Sequence, residues 1–99
     1  MDKYVLDFVE STKRKLDVEG PLPEVQYLGF IDCICEPYHM ADTDDEALLI
    51  LDCIADVFKR RFERTRYDRD ADISAYAIIV ASAFRSRETL KTIKKKTNK

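Results

Sequence analysis

From Ile73 to Phe84 the chain carries no charged residue, and only Ser74 and Ser82 interrupt its apolar character. A segment of that kind must be sheltered from water, so it constrains the fold more than any other stretch. Ile78-Ile79-Val80 alone suits a strand. Alanines at 71, 75, 77, 81 and 83, with no turn signal between them, favour a helix instead. Being apolar nearly all round, it is expected to be the central helix, with Ala77 and Ala81 letting a neighbour approach closely. The helix is predicted over 72–93, with Tyr67 to Asp72 as the connection before it and Asp70 or Asp72 as its N-cap.

Three further helices precede it. Over 2–18, Tyr4, Val5, Phe8, Val9, Thr12 and Leu16 recur at helical spacing among charged residues, and Gly20, Pro21 and Pro23 stop the pattern. Over 23–36, Val25, Leu28, Ile31, Cys35 and Tyr27, Phe30, Ile34 form two adjoining apolar stripes, which predicts burial on a wide face. Gly29 within them weakens the helix by about 1 kcal/mol and points to a close helix crossing. Thr43-Asp44-Asp45-Glu46 has the form of a capping box and opens a helix over 44–66. The fold class is therefore all-α: a small bundle of about four helices forming one domain, 1–93, followed by a flexible basic tail, 94–99.

Ninety-nine residues leave room for one domain, and a 45% hydrophobic content excludes a disordered acidic tail. No run reaches the roughly 18 apolar residues of a membrane span, and Met1-Asp2-Lys3 leads into an amphipathic stretch rather than a secretory signal. Cys33, Cys35 and Cys53 are odd in number and apolar in context, so reduced, buried thiols in a cytoplasmic setting are expected.

Net charge is −2, but it is unevenly spread. Residues 1–58 hold four basic and fourteen acidic residues, a balance of −10; residues 59–99 hold thirteen basic and five acidic ones, a balance of +8. Such asymmetry points either to complementarity within the fold or to a charged partner. The basic patch is read as Lys59, Arg60, Arg61, Arg64 and Arg66 at one end of the hairpin, with Lys94, Lys95 and Lys96 at the other. Two separated clusters argue against one continuous nucleic-acid groove, and aromatic residues for base stacking are scarce among them.

Catalytic constellations are missing from the pattern. The single histidine, His39, follows Cys35 by four residues, but Pro37 breaks the register between them. Cys33 and Cys35 point about 200° apart on a helix and cannot share a metal there. Asp42, Asp44, Asp45 and Glu46 resemble a calcium loop in composition only, with Ala47 and Cys53 where its glycine and closing glutamate belong.

The expectation is a non-enzymatic helical protein-binding module without cofactor or metal. A regulator, an inhibitor or a virus- or phage-type accessory factor would work in this way. Tyr38, Phe62 and Tyr67 are the expected anchors for a partner protein, and nucleic-acid binding through the basic half is the alternative. Two helices apolar around most of their circumference also predict a homodimer that pairs each acidic half with the basic half of its partner.

Overall fold

The computed structural model describes the backbone of residues 3–97 and the side chains of residues 3–87. Four α-helices make up the fold: α1 (Lys3–Arg14), α2 (Glu24–Cys35), α3 (Asp44–Thr65) and α4 (Asp68–Thr97), with 3₁₀ turns at Lys15–Asp17 and Pro37–His39. The described residues contain no strand, so the all-α expectation holds. Helix α4 continues to Thr97, past the expected end at 93, so of the tail expected at 94–99 only 98–99 lies outside the described backbone. Helices α3 and α4 pair most extensively; α1 packs on α3, and α2 on α4.

The start of α3 is fixed by a variant of the capping box, with the Thr43 half in place and the Glu46 carboxylate reaching the amide one residue before the cap. Thr43 Oγ1 accepts from the Glu46 amide at 3.2 Å, and Glu46 Oε1 accepts from the Asp42 amide at 3.2 Å. The helix ends at Arg66, which is left-handed at φ 59° and donates its amide to the Phe62 carbonyl at 2.9 Å. Only Arg66 and Tyr67 separate the two long helices. The connection expected over Tyr67 to Asp72 is thus far shorter, and α4 begins at Asp68.

The expected central helix is not the central one. Helix α3 lies at the centre, burying Ile50, Leu51, Ile54, Val57 and Phe58 completely or nearly so. Helix α4 sends the apolar stripe Ile73, Ala77, Ala81 and Phe84 inward, together with Asp70 and Ser74, and leaves Ile78 49% and Ile79 66% exposed. The reason is geometric: α3 meets α1, α4 and both 3₁₀ turns, whereas α4 packs chiefly on α3 and α2 among the described residues. Ala77 and Ala81 are buried as expected. Beside them Ser74 donates to the Ala55 carbonyl at 2.8 Å, which ties the two backbones together.

Helix α2 also buries less than predicted. Tyr27, Phe30 and Ile34 face the core, but Val25 and Leu28 are exposed. Aromatic rings join three helices across this region: Phe8 to Phe30 at 6.1 Å, Phe30 to Phe58 at 4.9 Å, and Phe58 to Tyr27 at 6.2 Å between centroids. Edge contacts of this kind add to the area buried by each ring. No Cβ placed on Gly29 would meet an atom within 4 Å, so this glycine marks no close crossing.

Candidate functional site

The three expected anchors do not form one site. Tyr38, in the turn before α3, donates to Asp44, accepts from Arg87 Nη2 at 3.3 Å and packs its ring 5.7 Å from that of Phe84. The hydrogen bond to Asp44 raises the pKa of the Tyr38 hydroxyl above its ordinary value; slight burial and the Asp44 charge add to this, and Arg87 opposes it. Phe62 and Tyr67 lie at the other end of α3, about 30 Å away along a helix of 22 residues. Phe62 is half-buried beneath the Arg66 guanidinium, 5.5 Å from its ring centre, while Tyr67 is exposed.

The basic patch needs a larger correction. Arg61 is completely buried. Its Nε donates to Asp70 Oδ1 at 3.3 Å, Nη1 to the carbonyls of Lys15 at 2.7 Å and Val18 at 3.1 Å, and Nη2 to that of Gly20 at 2.8 Å. Asp70, also buried, accepts further from Tyr27 Oη at 3.0 Å and Thr65 Oγ1 at 2.8 Å. It is thus the counter-ion of a buried arginine rather than a helix cap. Every polar group in this node is matched, as a buried ion pair requires.

Of the remaining patch residues, Lys59 is exposed, Arg60 pairs with Asp56 at 3.3 Å, and Arg64 donates to the Val18 carbonyl at 2.9 Å. The side chains of Lys94, Lys95 and Lys96 lie outside the described residues. Arg69 pairs with Glu24 and Arg85 with Asp52, so part of the charge asymmetry is neutralised within the fold.

The three cysteines form no disulfide and differ in surroundings. Cys53 is buried and Cys33 half-buried, and burial is the largest cause raising the pKa of each thiol. The expectation of three buried thiols fails at Cys35, which is exposed with its Sγ 2.9 Å from Tyr76 Oη. That position faces outward because α2 turns Tyr27, Phe30 and Ile34 to the core. His39 lies 3.8 Å from Glu36, so Cys35 and His39 have different partners. Among the described residues no group of three or more His, Cys, Asp or Glu could hold a metal ion, and no helix is long and apolar enough to cross a membrane.

What sequence reasoning missed is a groove of about 260 Å³ between α1 and α2, lined by Phe8, Lys15, Gln26, Gly29, Phe30 and Cys33. Gln26, Gly29, Phe30 and Cys33 fall on one face of α2 at helical spacing, and the missing side chain at Gly29 leaves the space open. Phe8 and Phe30 form its apolar wall. Lys15 and Gln26 line it almost entirely with carbon, and the Gln26 side-chain Oε1 is buried without a hydrogen-bond partner. The legible signal was Gly29 itself, a residue with nothing to pack in an otherwise apolar helix. Comparison with known proteins gave no relative: no family, no curated protein and no solved structure matches this chain.

Proposed function

We propose that the chain is a non-enzymatic helical module that binds another protein and receives an apolar anchor of that partner in the α1–α2 groove. The groove is the observation that carries this reading. Its volume of about 260 Å³ lies below the roughly 300–1,000 Å³ of pockets that enclose a small-molecule ligand, and suits one or two side chains. Its almost wholly apolar lining fits an amphipathic segment that sets an apolar residue against Phe8 and Phe30. Regulators, inhibitors and viral accessory factors act through contacts of this type, which makes such a role in the cytoplasm the preferred one by analogy.

Gly29→Leu tests the reading, because the added side chain enters open space and fills the groove. Wild type and variant, each shown to be folded by circular dichroism, are used to capture partners from the native host with and without nuclease. The expected result is one stoichiometric, nuclease-resistant protein held by the wild type and lost with Gly29→Leu. Equal capture by both would exclude the groove. Recovery of nuclease-sensitive nucleic acid without a stoichiometric protein would replace this reading by nucleic-acid binding through the basic half.

A further inference from the structure

We infer that the outer face of α4 pairs with the same face of a second copy of this chain, in antiparallel orientation. The inference is independent of the groove, which lies between α1 and α2.

The solvent faces of α3 and α4 differ in kind. Exposed positions on α3 carry Asp45, Asp56, Lys59, Arg60, Glu63 and Arg64. On α4 the exposed positions between Asp72 and Arg85 are Ala75, Ile78, Ile79, Ser82 and Ala83, without a single charge over three turns. Two large aliphatic side chains, Ile78 and Ile79, flank a line of small residues, Ala75 and Ser82. Small residues between larger ones let two helices come close, and burial of the isoleucines drives the association.

Charge selects the partner and its direction. The face has Asp68 and Asp72 at its N-terminal end and Arg85 flanking its C-terminal end, while Arg87 turns away to Tyr38 and the Phe84 ring. A two-fold axis between Ile78 and Ile79 brings the acidic end of one helix to the basic end of the other, and sets Ala75 across from Ser82 of the second copy. This self-complementarity is what an isologous interface requires. Parallel pairing would set acidic end against acidic end and align the two helix dipoles. The intramolecular bridge from Arg85 to Asp52 is compatible with this, because the complementarity is between ends rather than single pairs. A helix pair of this length buries on the order of 1,000 Å², the low end for a specific interface, so a concentration-dependent dimer is expected.

Sedimentation equilibrium up to on the order of 100 µM reads the association directly. Wild type should show a monomer–dimer equilibrium, and Ile79→Glu, at an exposed position, should weaken it by about a hundredfold with the helix content unchanged. Direction is read in a Cys35→Ser background by mixing Ala75→Cys and Ser82→Cys chains under mild oxidation. Antiparallel pairing yields the mixed disulfide in excess over either homodisulfide. A monomeric wild type, a dimer indifferent to Ile79→Glu, or homodisulfides dominating the mixture would each overturn the proposal.

Discussion

Helices α3 and α4 pair along their length, yet they solve opposite problems. Helix α3 reads as amphipathic with a heavily charged second half, and it lies at the centre with even an arginine fully buried. Helix α4 reads as the most apolar segment of the chain, and it lies at the edge with two isoleucines in water. The difference teaches that apolar content alone does not set depth. Depth follows from how many neighbours an element meets, and a charged residue can occupy the core when partners converge on it.

Removing the buried guanidinium should break the comparison most severely. Arg61→Leu leaves the buried Asp70 carboxylate without its counter-ion and the carbonyls of Lys15, Val18 and Gly20 without the guanidinium, at an expected cost of about 3–5 kcal/mol by urea denaturation. A loss below about 1 kcal/mol would show the arginine to be dispensable. Phe58→Ala on the same helix deletes a fully buried ring in contact with Tyr27 and Phe30, and should cost about 3–5 kcal/mol in the same assay. Gly29→Ala should raise stability by about 1 kcal/mol, since the new methyl meets no atom and the helix gains propensity. The smallest effect sharpens the contrast: Ile79→Ser on α4, measured at low protein concentration, should change stability by no more than about 0.5 kcal/mol. A core-sized loss there would place α4 at the centre after all.

Helix number, order and approximate limits were legible because periodicity and punctuation are local. The capping box at Thr43 and the pairing of Ala77 and Ala81 were readable for the same reason. Arg61 was misread as surface, although it falls three residues after Phe58 and seven after Ile54, on the buried row of α3. Asp70 likewise precedes Ile73 and Ala77 on the buried row of α4. Register alone therefore marked both, but residue type was given more weight than position. Their pairing was not legible, since it depends on the tight turn at Arg66 and on carbonyls more than forty residues away. The groove stayed hidden for a related reason: a gap is a property of two helices, and only its glycine belongs to one.

The buried arginine also bears on how the chain assembles. The backbone of residues 15–20 turns three carbonyls toward a single side chain that arrives more than forty positions later, and that side chain is itself neutralised only at residue 70. The leading third of the protein is therefore expected to gain these contacts only after α3 has formed. It waits until the turn between the two long helices has been made, and then locks with them in one cooperative step. Amide protons of the 18–22 linker and of the α3–α4 turn should accordingly exchange as one unit, although the sequence sets them far apart.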